Sequence, residues 1–122
     1  MRPTGPTKES TRKLIVALEK YGKSTKQNIW LLVGEKLKKP RRSRIKVNIW
    51  KLARLAKKFK NQTIIVPGKV LGKGDLNEPI FIAAFDFSKE AKEKIQKAKG
   101  EVITLYELMN KKPKVSSLVI VG

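Results

Sequence analysis

The chain has 122 residues, 40% of them hydrophobic, which is enough for one domain whose core needs no covalent staples. Its 29 Lys and Arg against 10 Asp and Glu leave a net charge of +19, a load that points to a polyanionic partner, of which nucleic acid is the commonest. The absence of Cys and His excludes disulfides, thiolate nucleophiles, Cys-ligated zinc, serine–histidine triads and the usual near-neutral proton carrier.

Residues 1–7 carry two Pro and one Gly without periodicity and read as an extended arm bearing Arg2. The opening MRPTGPTKES has no apolar signal core, and no stretch approaches the roughly 18 apolar residues of a spanning helix. The expectation is a cytoplasmic, unprocessed chain with no membrane role. Thr7 is placed to cap a first helix with Leu14, Ile15, Leu18 and Tyr21 as its apolar stripe and Gly22 as its stop. Ser24 and Gln27 have capping-box spacing for a second helix, with Ile29, Leu32, Val33 and Leu37 inward, Trp30 beside that face, and Pro40 closing it. A third helix from about Asn48 to Phe59 turns Ile49, Leu52, Ala53, Ala56 and Phe59 to one side.

Between the second and third helices lies KLKKPRRSRIK, residues 36–46, rich in Lys and Arg and free of acid. Alone, such a run is equally well read as a solvated linker. Its surroundings favour a binding surface. No Asp or Glu occurs from Lys36 to Gly74, while 14 Lys or Arg do, and Lys51, Arg54 and Lys58 share the stripe opposite the apolar face of the third helix. The charge is also segregated along the chain. Residues 1–60 hold 19 cations and 3 acids, whereas residues 61–122 hold 10 and 7.

The stretch Val66 to Gly100 organises the remainder. Ile64 to Leu71 reads as a strand interrupted at Pro67-Gly68, followed by the turn residues Gly72-Lys73-Gly74-Asp75. Ile80 to Phe87, with Asp86 as its one charge, reads as a strand covered on both faces. Ser88 caps a helix with Ala91, Ile95 and Ala98 inward and Glu90/Lys94 and Glu93/Lys97 paired outside; Gly100 fits the left-handed residue that ends it. Val102-Ile103 is a short strand, Thr104 and Glu107 make a capping box before a helix with Leu108 and Met109, and Leu118 to Val121 is a last strand.

Chemical motifs fail on inspection. In PGKVLGKGD, residues 67–75, Pro67 stands where a phosphate loop needs its first Gly and Gly74 where it needs a hydroxyl, and a strand follows instead of a helix. The same region lacks the third Gly of a dinucleotide fingerprint. Asp75, Glu78 and Asp86 are better explained as capping or local ion-pairing groups than as acid–base catalysts. Phe81, Phe85 and Phe87 alternate as base-stacking aromatics do, but no RNA-reader signature accompanies them, so core packing is the better account. Trp30 and Trp50 are likewise read as core or helix-contact residues, with stacking on RNA the alternative for whichever is exposed.

The ordered set VLGKGDL, an apolar strand, FSKEAKEKIQKAKGEVITLYEL and a terminal VIVG, together with the VNIWKLARL helix, resembles large-subunit ribosomal protein eighteen of the archaeal and eukaryotic type, distantly related to the universal large-subunit protein fifteen. The likeness spans essentially the whole chain, with Lys99-Gly100 where relatives often carry Gly-Gly. It implies an α/β fold, a single compact domain of irregular β-β-α turns with N-terminal helices, three by the periodicity above, and a basic loop. It also implies a structural, non-enzymatic constituent of the large ribosomal subunit, bound to ribosomal RNA and neighbouring ribosomal proteins.

The expected organisation is one domain, 1–122, with an arm at 1–7, a basic helical part at 8–60 and an α/β core at 61–122. No cofactor, metal or small-molecule substrate is expected. The candidate RNA contacts are Arg41, Arg42, Arg44 and Lys46 first, then Lys38, Lys39, Lys51, Arg54, Lys57 and Lys58, and last Arg2, Lys69 and Lys73. Arginines rank first because a planar guanidinium forks onto phosphate and stacks on bases. The competing readings are a free RNA or DNA chaperone and, less consistent with the motif counts, an enzyme built on the 67–75 loop.

Overall fold

The structure is a computed structural model that describes residues 8–40 and 44–121. In chain order its elements are α1 (Lys8–Thr25), α2 (Asn28–Leu37), β1 (Ile45–Asn48), α3 (Ile49–Lys58), β2 (Thr63–Leu71), β3 (Phe81–Phe87), α4 (Lys89–Lys97), β4 (Glu101–Thr104), α5 (Leu105–Asn110), a 3-10 turn (Val115–Ser117) and β5 (Leu118–Ile120).

β2 is the axis of an all-parallel sheet. β3 lies along one side of it, with β4 beyond. The other side is shared: β5 pairs with Thr63–Ile65 and β1 with Gly68–Leu71. Pro67 falls between those two partners, at the point where the register with β3 also shifts. A residue without an N–H is tolerated where the ladder is already broken. The expected interruption at Pro67-Gly68 is therefore a bulge within one continuous strand. Gly68 serves the next step: a Cβ there would stand 2.0 Å from the Ile45 carbonyl oxygen, so only glycine lets β1 close against β2.

Parallel strands buried on both faces need apolar side chains on both, and β2 and β3 supply them. Ile64, Val66, Val70, Ile82 and Ala84 pack with Ile49, Leu52 and Ala56 of α3 and Ala91 and Ile95 of α4. On the opposite face, Ile65 and Ala83 pack with Leu14 and Leu18 of α1, Trp30, Val33 and Leu37 of α2, and Leu105, Leu108 and Met109 of α5. The result is a helix–sheet–helix sandwich with two separate cores.

Several local expectations are corrected. α1 runs past Gly22 to Thr25 and ends at Lys26, which takes a left-handed φ of 57°. Gly22 is instead a contact residue, since a Cβ would lie 2.9 Å from the Leu31 side chain. Ser24 lies inside α1, and the residue preceding α2 is Gln27, whose side chain accepts from Trp30 Nε1 at 2.6 Å. The buried stripe of α2 is Trp30, Val33, Gly34 and Leu37, leaving Leu32 exposed. A ten-residue helix offers few apolar positions to fix its phase, and the aromatic decided it: Trp30 is fully buried edge-on to Tyr21, with ring centroids 5.1 Å apart. Lys99, at φ 64°, is the left-handed residue after α4, and Gly100 is required for space, since a Cβ would meet the Ile80 carbonyl oxygen at 2.3 Å. Phe81 is exposed rather than in the core. The expected cap on Thr7 lies outside the described residues.

The Ser88 cap on Ala91 N–H and the reciprocal Thr104–Glu107 capping box both form as their spacing predicts. β3, α4 and β4 fall where the central stretch puts them. β1, by contrast, lay unrecognised at the end of the basic run.

Candidate nucleic-acid interface

α3 presents two chemically opposite sides. Ile49, Leu52 and Ala56 are buried against the sheet, while Lys51, Arg54, Lys57 and Lys58 are exposed. The 3.6-residue period fixes this split, because charged heads cannot enter the core unpaired. β1 leads into α3 directly through Asn48, so the docking of β1 sets where the helix begins.

A loop is fastened beside the first turn of α3. The Trp50 backbone N–H donates to the Lys73 carbonyl at 3.1 Å. Gly74 takes φ 114°, and a Cβ there would lie 2.7 Å from Trp50 N and Trp50 Cβ. From α4, Lys94 Nζ donates to the carbonyls of Gly72 at 2.5 Å and Gly74 at 2.7 Å, and pairs with Glu90 at 3.2 Å. The loop carbonyls thus face an internal cation, while the Lys73 side chain is exposed next to α3. The following element is β3, a strand, so a phosphate loop feeding a helix does not exist here.

The other candidates divide into free and engaged cations. Among the described residues, Lys39, Lys46, Lys51, Lys57 and Lys73 are exposed and join no ion pair. Arg54 lies over the Trp50 ring at 5.4 Å and Lys58 over Phe59 at 5.4 Å. Lys38 reaches Glu19 of α1 at 3.0 Å, and Lys69 faces Asp86 across the β2–β3 pair at 3.9 Å. Arg44 is half-buried: its Nε donates to the Leu37 carbonyl at 3.1 Å and its guanidinium stands 5.1 Å from the Phe85 ring centroid. It joins the end of α2 to the sheet, a fold contact that its place in the basic run did not reveal. Arg2, Arg41 and Arg42 lie outside the described residues.

The structure thus brings Lys51, Arg54, Lys57, Lys58 and Lys73 onto α3 and the loop held against it. It holds Lys38, Arg44 and Lys69 in contacts with the rest of the fold. Trp50, read as a core or helix-contact residue with stacking as the alternative if exposed, is 46% exposed on the same helix. One signal was present in the sequence. Trp50 falls one residue outside the Ile49–Leu52–Ala56 stripe and four before Arg54, spacing that puts it beside a cation. Neither a group of His, Cys, Asp and Glu able to hold a metal nor a helix long and apolar enough to cross a membrane occurs among the described residues.

Comparison with known proteins adds a family. Residues 2–122 match the family described as ribosomal protein 60S L18 and 50S L18e. The chain is 42% identical to the large ribosomal subunit protein eL18 of Methanopyrus kandleri, over 98% of this chain and 96% of that protein. It is 43% identical to the eL18 of Pyrobaculum aerophilum, with the same two coverages. It is 36% identical to the eL18 of Methanococcus maripaludis, over the full length of both.

Proposed function

Because the chain belongs to the family of ribosomal protein 60S L18 and 50S L18e, we propose that its basic surface fastens it to folded ribosomal RNA. As a member of that family it is a constituent of the large ribosomal subunit in the cytoplasm, a structural part of the translation machinery and not an enzyme. Its partners are ribosomal RNA and ribosomal proteins.

The observation that carries the finer reading is the cationic surface of α3, which holds no acid of its own, with Lys73 beside it. The acids nearest that loop in the fold are Asp75 and Glu90, the latter paired with Lys94. Lys51, Lys57 and Lys73 project there without carboxylate partners, on a helix packed against the sheet and a loop fastened to α3 and α4. Unneutralised cations on a rigid support favour a polyanion of fixed shape, since their mutual repulsion is relieved only when it docks. Lys46, exposed on β1, and Lys39, exposed beyond α2, add further cations, and Arg41 and Arg42 follow Lys39 in the sequence. Arg54 and Lys58 contribute while resting on aromatic rings. Lys38, Arg44, Lys69 and Arg2 are secondary contacts in this reading, the first three because each already has a partner in the fold. Shape and phosphate spacing, more than base edges, would select the site on RNA.

Sedimentation of a native extract in a salt gradient tests this. The chain is expected to travel with large subunits through moderate salt and to be released only under conditions that strip structural proteins. Release at moderate salt together with promiscuous binding to RNA and DNA would instead mark a free chaperone.

A further inference from the structure

We propose that the Trp50 indole, backed by the Arg54 guanidinium, is a stacking platform for one unpaired base of the bound RNA. This rests on the RNA-binding reading of the α3 surface and adds a contact to a base where the lysines offer contacts to phosphate.

The two tryptophans of the chain have opposite surroundings. Trp30 is fully buried and hydrogen-bonded, whereas Trp50 is 46% exposed. The fold uses the backbone of Trp50 and leaves its ring available. The Trp50 N–H holds the Lys73 carbonyl, and Gly74 packs against Trp50 N, Cα and Cβ. The ring therefore stands on an immobilised stem. With the backbone held and only two χ angles in the side chain, the entropy lost when a planar ligand settles on the ring is small for a residue of this size, which favours an aromatic platform.

The charges around the ring specify the ligand. Arg54 lies 5.4 Å from the ring centroid, exposed Lys51 follows Trp50 in the helix, and exposed Lys73 stands on the loop that the Trp50 N–H holds. Of the acids beside that loop, Glu90 is paired with Lys94 and Asp75 follows Gly74. A groove on a partner protein that accepts a tryptophan is apolar at its centre, so a cationic frame suits it poorly. A nucleobase carries its phosphates with it and suits both the ring and the frame. Among the described residues, the other exposed aromatics, Phe81 and Tyr106, have no cation over the ring.

The test uses the full chain with two probes of equal length, an unstructured oligoadenylate and an abasic ribose–phosphate oligomer. Wild-type tryptophan emission is expected to be quenched on saturation with oligoadenylate but not with the abasic oligomer. Trp50→Ala is expected to weaken oligoadenylate binding about ten-fold while leaving abasic binding and the salt slope unchanged. Trp50→Leu, which keeps apolar bulk without a π face, is expected to behave like the alanine variant, whereas Trp50→Phe retains part of the affinity. If wild type binds both oligomers but emission is unmoved and the variants weaken neither or both equally, the platform is wrong and the phosphate-binding surface stands. If wild type binds neither oligomer but retains a folded ribosomal RNA fragment, the platform is wrong and the shape-selecting surface stands; if it retains none of the three, the RNA-binding reading of α3 falls and the platform with it.

Discussion

The backbone N–H of Trp50 donates to the carbonyl of Lys73 at 3.1 Å, joining the first turn of α3 to the loop that follows β2. Residues 23 apart in sequence thus present their side chains from one support. A helix of exposed lysines on a mobile base would lose much of its binding energy to ordering. Here that cost is met during folding.

Gly74 makes this junction possible. Gly74→Ala would place a Cβ 2.7 Å from Trp50 N at a φ of 114°, a region L-residues rarely occupy. The expected loss is about 2 kcal/mol or more, read as a lower urea midpoint at unchanged m-value. An unchanged midpoint would show that the loop can swing clear of α3 at no cost.

Gly68 performs the comparable role for β1. Gly68→Ala brings a Cβ to 2.0 Å from the Ile45 carbonyl oxygen, which neither chain can accommodate without separating. Hydrogen exchange is expected to report diminished protection across Ile45–Asn48 with β2–β3 protection retained, at a cost of roughly 2–3 kcal/mol. RNA affinity should fall as well, since Lys46 and the start of α3 depend on that strand. Full protection of the Ile45–Asn48 amides in the variant would count against this account of Gly68.

Lys99 is a position where a substitution should help. Its φ of 64° costs a side chain about 1–2 kcal/mol relative to glycine, while added freedom in the unfolded chain returns about 0.4–1. Lys99→Gly is therefore expected to stabilise by roughly 0.5 kcal/mol, measured as a small rise in melting temperature. A fall in melting temperature would mean that the unfolded-chain term is the larger.

Surface and fold-bound cations should separate by phenotype. Lys57→Ala with Lys58→Ala is expected to flatten the slope of log affinity against log salt by roughly 0.7–0.9 for each phosphate no longer neutralised, with little change in stability. Arg44→Ala removes a hydrogen bond to the Leu37 carbonyl and the packing of the guanidinium on Phe85, and should cost about 1–2 kcal/mol of stability. A paired measurement of salt slope and thermal unfolding in both variants decides this; identical behaviour would be falsifying.

Short-range signals were read correctly from the chain. Ser88, the Thr104–Glu107 pair and the Ile49–Leu52–Ala56 stripe act within one or two helical turns, so their consequences do not depend on the rest of the molecule. Glu90 meets Lys94 for the same reason. Misreadings gathered where a distant partner decided the outcome. Gly22 and Gly100 look like stops, but each is kept small by a neighbour from another element, Leu31 in one case and Ile80 in the other. Leu32 and Trp30 exchange places because Tyr21 of α1 receives the indole. Arg44 looks like the free cations around it until Leu37 and Phe85 are seen to hold it.

The order of residues along the chain, taken alone, determined the cationic character of the molecule and which side of α3 would be apolar and which charged, because charge and helical period are properties of composition and spacing. It also determined where β3, α4 and β4 would form. Only the tertiary structure decided that β1 would share an edge of β2 with β5, that Trp50 would remain outside while Trp30 went in, and that Lys73 would stand beside α3. Those outcomes depend on contacts between segments many residues apart, which no local pattern encodes and which form only when both faces of the sheet are covered at once.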